Sequence, residues 1–144
     1  MFILDTNVIS ETMRNQPDPA VLAWLDERVA SGLFVTTVTE AEIRFGMTRL
    51  DEGKRRDDLI AAVDQAFETI FRGQVLSFDR DAARVYAVIG AHSFGIGRTI
   101  SQSDCQIAAI ARSRGATLAT RNVADFEDTG VAVINPWETS ASCA

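Results

Sequence analysis

The sequence is poor in the residues that several functional classes require. It has two cysteines and one histidine in 144 residues. Cys105 sits in the apolar pattern Cys-Gln-Ile-Ala-Ala-Ile-Ala and Cys143 is penultimate. Neither the count nor the spacing makes a zinc site or a disulfide framework, and both cysteines read as structural or incidental. His92 stands alone, which excludes histidine-rich metal sites and the histidine pair of a ribonuclease that attacks through the 2′-hydroxyl. No motif surrounds it to suggest a Ser–His–carboxylate triad. No apolar run reaches the roughly 18 residues of a bilayer span. Asp5 interrupts the apolar start, and no basic segment precedes it, so these residues do not read as a secretory signal. The expected location is the cytoplasm, with no membrane partner. Positive charge is also short: 14 Lys and Arg against 20 Asp and Glu leave a net charge of −6. Such a chain is a poor non-specific binder of nucleic acid. A cluster of carboxylates would itself add negative charge, which a bound cation offsets.

Hydrophobic residues make up 47% of the chain, enough for a sizeable core. The length suits one domain, expected over residues 1–138 with a flexible tail over 139–144. Residues 2–5 read as a strand and 7–13 as a short helix. Asp18 before Pro19 predicts a capped helix to about Val29, with Gly32 as its stop. Leu33–Val38 reads as the second strand. Thr39-Glu40-Ala41-Glu42 has the form of a capping box opening a helix to about Leu50. Residues 51–58 read as a charged turn, 59–71 as a helix and 74–78 as a third strand. Asp79 caps the next helix. Ser101 or Ser103 caps a helix over 104–114, ended by Gly115. Residues 116–119 and 131–134 complete the strands. Strands alternating with helices predict an α/β protein with a mainly parallel sheet of four to five strands between helical layers.

The first strand ends abruptly in Asp5-Thr6-Asn7. In an open α/β sheet the carboxyl edge is where ligands bind. Glu42, Asp104 and Asp125 lie at other junctions on the same expected edge. Each has an ordinary role available: Asp5 as an N-cap, Glu42 as the back-bonding member of a capping box, Asp104 as a favourable acid in a first helical turn, Asp125 as a solvated loop acid. Together they suggest a divalent-cation site, because Mg²⁺ and Mn²⁺ prefer carboxylate and water oxygens. Such a site suits phosphodiester hydrolysis. Thr6, Asn7, Ser103 and Thr120 stand beside the acids and are candidates to orient them. Arg44, Arg49, Arg98 and Arg121 are candidates to hold a phosphate backbone, as are Lys54, Arg55 and Arg56 beyond them.

Four segments carry a resemblance: Leu4-Asp5-Thr6-Asn7-Val8-Ile9-Ser10, Thr39-Glu40-Ala41-Glu42-Ile43-Arg44-Phe45-Gly46, Ser103-Asp104-Cys105-Gln106-Ile107-Ala108-Ala109, and Ala119-Thr120-Arg121-Asn122-Val123-Ala124-Asp125-Phe126. In this order they resemble PIN-domain proteins, and within them the VapC-type ribonuclease toxins of type II toxin–antitoxin modules, nearest the FitB-like branch. The closing Asn135-Pro136-Trp137 is similar too. The resemblance implies a three-layer α/β/α fold, a Mg²⁺ or Mn²⁺ centre, an RNA substrate, a homodimer and a cognate antitoxin. Asp5, Glu42 and Asp104 match the family's three core acids. Some relatives place the fourth acid where Asn122 stands; here Asp125 is taken as the fourth acid, with Asn122 as an auxiliary ligand. Three other readings compete: a receiver-like signalling module, for which Lys54 lies in the wrong place, a related DNA nuclease, and a PIN scaffold that has lost catalysis and serves as a binding partner in a repressor complex.

Overall fold

The computed structural model describes residues 1–138, so the tail expected over 139–144 lies outside the described residues. Five strands form one sheet: β1 (Phe2–Leu4), β2 (Leu33–Thr36), β3 (Val75–Leu76), β4 (Thr117–Ala119) and β5 (Ala132–Ile134). Their order is β3-β2-β1-β4-β5, with all four pairings parallel. Parallel strands need crossovers, and among the described residues six α-helices supply three of the four in pairs: α1 (Thr6–Thr12) and α2 (Pro19–Arg28), α3 (Thr37–Thr48) and α4 (Lys54–Glu68), α5 (Arg80–Gly95) and α6 (Gln102–Ser113); β4 reaches β5 through a 3₁₀ turn over Val123–Phe126.

Alternation along the strands divides the interior in two. Ile3 and Leu118, paired across β1 and β4, join one core with Ile89, Cys105, Ile107 and Ile110 from α5 and α6. Their successors Leu4 and Ala119 face the other core, with Val8, Val21, Trp24, Ile43 and Val63 from α1 to α4. The sheet is therefore covered on both faces, which is why its strands read as continuous apolar runs. This is the expected three-layer α/β/α arrangement.

Several boundaries differ from the sequence reading. β2 stops at Thr36 and α3 begins at Thr37, because the Thr36 hydroxyl accepts the backbone N–H of Thr39 at 3.1 Å. Thr36 is thus the N-cap, and the expected Thr39–Glu42 capping box does not form. The stretch expected as a turn over 51–58 ends at Gly53, whose φ of 153° and ψ of −177° suit glycine. Lys54, Arg55 and Arg56 accordingly lie in the first turn of α4. Ser101, not Ser103, caps α6. α2 keeps its predicted Asp18 cap, with Ala20 N–H donating to Asp18 Oδ1 at 2.8 Å.

Candidate metal centre

β1 is central, so its carboxyl end opens in the middle of the sheet edge. Asp5 follows it directly and is buried, with 5% exposure. Its Oδ1 accepts the Thr6 backbone N–H at 2.8 Å, so Asp5 does serve as the N-cap of α1. Its Oδ2 points the other way and accepts the Thr120 hydroxyl at 2.7 Å. Capping and a role at a site use different oxygens and do not compete.

Thr120, fully buried, follows β4 on the neighbouring strand. Its hydroxyl donates to Asp5 and accepts from Asn7 Nδ2 at 3.2 Å and from the Asn122 backbone N–H at 3.1 Å. Asn7 Nδ2 also lies 3.4 Å from Asp5 Oδ2, while Asn7 Oδ1 accepts the Arg121 backbone N–H at 3.1 Å. Asp5, Asn7 and Thr120 therefore form one network that locks the β1–α1 junction to the turn after β4. Thr120→Val removes the hydroxyl that satisfies the buried carboxylate. We expect it to cost about 1–3 kcal/mol of stability, the penalty for a buried acceptor left without its donor, with Thr120→Ser close to the parent protein in the same melting curves.

On the other side, Thr6 Oγ1 donates to Glu42 Oε1 at 2.9 Å and lies 3.1 Å from Thr39 Oγ1. Glu42 is exposed on the second turn of α3, and this contact takes the place of the capping bond expected for it. Asp104, half-buried, sits in the first turn of α6, where its backbone N–H donates to Ser101 Oγ at 3.1 Å. Asp125 is exposed in a 3₁₀ turn over Val123–Phe126, which Phe126 pins into the core.

The electrostatics couple these positions. Burial raises the Asp5 carboxyl above its ordinary range; the Thr120 and Thr6 hydrogen bonds oppose this, and the charges of Glu42 and Asp125 add to it. Burial likewise raises Asp104, helped by the charges of Asp5 and Asp125 and opposed by the Ser101 hydrogen bond. The four acids thus share one electrostatic neighbourhood. Among the described residues, however, no three Asp, Glu, His or Cys side chains converge as in a finished metal cage. Like charges repel, and Glu42 and Asp125 keep their carboxylates in solvent. The donor set suits a hard cation: it is all oxygen, with two anions whose charge is disfavoured by their surroundings.

A raised carboxyl pKa means that the folded chain binds protons more readily than the unfolded chain. The cluster's contribution to stability is then greatest below the ordinary carboxylate range and is lost as pH rises through the raised values. In metal-free buffer, melting curves of the wild-type protein and Asp5→Asn should diverge as pH rises, the wild type losing more stability towards pH 7. Parallel curves across the range would contradict the raised Asp5 pKa.

The remaining predicted residues fall differently. Asn122 is exposed, and its side chain makes no hydrogen bond with the described residues. Ser103 is half-buried and does not take part in the Asp5 network. Arg44 is held by Glu40 and Asp64, each at 2.8 Å, and those bonds raise its pKa. Arg49 lies over Phe45 and Arg121 over Trp137, and neither forms an ion pair with the described residues. Arg98 is bound to Glu127, Asp128 and the Ala124 carbonyl. Cys105 is buried, and burial pushes its thiol pKa up, in keeping with the structural role read from the sequence.

Glu11 escaped the sequence reading. It is buried on α1, accepts the Asp18 backbone N–H at 2.9 Å and pairs with Arg14 at 3.1 Å. Those bonds, the Asp18 one foremost, lower its pKa. It fastens the α1–α2 loop. The signal was its place three residues after Val8, on the apolar face of α1.

Comparison with known proteins agrees with this architecture. The PIN-domain profile matches residues 2–131. The VapC ribonuclease Y4jK of Sinorhizobium fredii is 42% identical over 138 residues, covering 96% of this chain and 99% of the relative. Toxin FitB of Neisseria gonorrhoeae is 39% identical over 137 residues, covering 95% and 99%. The crystal structure of FitAcB from Neisseria gonorrhoeae superposes with a TM-score of 0.90 at 39% identity, over 96% of this chain and 99% of that one. The chain belongs to the PIN-domain family. Its solved neighbours include toxin–antitoxin complexes. The receiver-like reading falls with this result. No helix among the described residues is long and apolar enough to cross a membrane.

Proposed function

We propose that the chain is a Mg²⁺- or Mn²⁺-dependent endoribonuclease acting in the cytoplasm as the toxin of a type II toxin–antitoxin module. The observation that carries this reading is the shared electrostatic neighbourhood of Asp5, Glu42, Asp104 and Asp125 at the carboxyl edge of the central strands. The ribonuclease and toxin names of its relatives support it.

In this reading Asp5 and Asp104 hold the ion, and Asn122 offers an uncharged oxygen beside them. A bound divalent ion supplies a lowered pKa for water and neutralises charge on the phosphate. Glu42, fixed by Thr6, and Asp125 orient the attacking water, and a carboxylate on this edge accepts its proton. Water forms a bond to phosphorus as the bond to the ribose 3′-oxygen breaks. The leaving oxygen is protonated from solvent, giving a 5′-phosphate and a 3′-hydroxyl. Arg49 and Arg121, which form no ion pair with the described residues, are the better placed of the predicted arginines to meet phosphates. We further propose a homodimer contact around the C-terminal end of α5, where Val88, Phe94 and the cap residue Ile96 are exposed, Phe94 at 89%.

The test is to incubate antitoxin-free protein with single-stranded RNA and DNA and either cation. Cleavage of RNA that EDTA stops supports the proposal. Cleavage of DNA alone favours the related DNA nuclease, and no cleavage of either favours a binding scaffold.

A further inference from the structure

Arg98 lies in the loop between α5 and α6, three residues before the Ser101 cap that precedes Asp104. Its backbone N–H donates to the carbonyl of buried Ser93 at 2.9 Å, tying the loop to the last turn of α5. Its guanidinium crosses to the segment carrying Asp125. One branch faces Glu127 Oε2 at 3.3 Å and Asp128 Oδ2 at 3.5 Å, and the other donates to the carbonyl of Ala124, the residue before Asp125. Asp128 has a φ of 64°, uncommon for a residue with a side chain. Elsewhere the segment is held from its far side: Phe126 is buried, and Arg112 of α6 donates to the Thr129 carbonyl at 3.3 Å.

We propose that Arg98 is a positioning residue: it straps the Asp125 turn to the loop that opens α6 and so sets the spacing between Asp125 and Asp104. It touches neither acid. The role rests on the proposed reading of Asp125 as part of the cation site. The ion pairs themselves are solvent-facing and contribute little to stability. What the guanidinium adds is geometry, because its planar fork engages a carbonyl and two carboxylates at once, which a lysine cannot reproduce.

The test reads cation binding directly, from the electron paramagnetic resonance signal of free Mn²⁺ in titrations of the full chain. The variants are Arg98→Gln, Arg98→Lys, Asp125→Asn and the Arg98→Gln/Asp125→Asn double, with melting curves as a check on folding. Arg98→Gln should weaken Mn²⁺ binding about 10-fold. Arg98→Lys should recover part of that loss. In the Asp125→Asn background Arg98→Gln should weaken binding no further, because the strap would have nothing left to place. Unchanged affinity in Arg98→Gln, or an equal loss with and without Asp125, overturns the strap while leaving the cation site standing. Unchanged affinity in Asp125→Asn overturns the reading of Asp125 and the strap with it. Should Arg98→Gln fail to fold, Arg98→Lys in both backgrounds is read by the same criteria.

Discussion

Asp5→Asn should abolish RNA cleavage, with turnover falling on the order of 10³-fold, well beyond the 10- to 100-fold typical of a supporting residue. The substitution keeps the shape of the side chain. An Asn oxygen can still accept the Thr6 N–H, so the α1 cap survives. What disappears is a negative charge that the fold encloses at this edge, at 5% exposure. Burial of an ion is costly unless something compensates it. Here the hydrogen bonds from Thr120 and Thr6, with a longer one from Asn7, offset part of the cost, yet the pKa remains raised. A divalent cation is the compensation such a group calls for. Steady-state cleavage of a defined RNA, with circular dichroism confirming the fold, checks this; wild-type turnover in Asp5→Asn would refute the assignment.

On the proposed toxin function, Ile70→Glu combined with Leu22→Asp should weaken neutralisation by the antitoxin at least about 30-fold, as loss of a 2 kcal/mol hot spot implies. An apolar trough of about 230 Å³ lies between α1, α2 and the end of α4, lined by Val8, Ile9, Leu25 and Phe71 among others. Leu22, Val29 and Ile70 remain 38%, 52% and 50% exposed on this face. Grouped exposure of this kind marks a surface meant to be covered, and an amphipathic antitoxin helix has the shape to cover it. Competition between antitoxin and RNA, read as the antitoxin concentration that halves cleavage, measures the effect. An unchanged midpoint would move the antitoxin contact elsewhere.

Much of this was legible in the sequence for a physical reason. Buried parallel strands must be apolar on both faces, so Phe2–Leu4, Leu33–Val35 and Leu118 announced themselves, and the polar residues that end them marked the functional edge. Asp18-Pro19 and Gly115 gave helix limits because caps depend on local chemistry. Glu42 shows where local reasoning stops. Its spacing from Thr39 fits a capping box, but Thr36 caps the helix instead, and Glu42 meets Thr6 from a segment 36 residues away. The arginines show the same limit: whether Arg44 and Arg98 are free for phosphate depends on partners 20 to 30 residues distant. Glu11 was hidden because a buried acid looks like any other until the loop that closes over it is known.

The central claim is that four dispersed carboxylates become one cation-holding site. Anomalous diffraction from crystals of the protein grown with Mn²⁺ tests it most directly. The account predicts a strong peak within coordination reach of both Asp5 and Asp104, with Glu42 and Asp125 directed towards it. A fully occupied Mn²⁺ bound elsewhere, or no peak near Asp5 at saturating Mn²⁺, would contradict it.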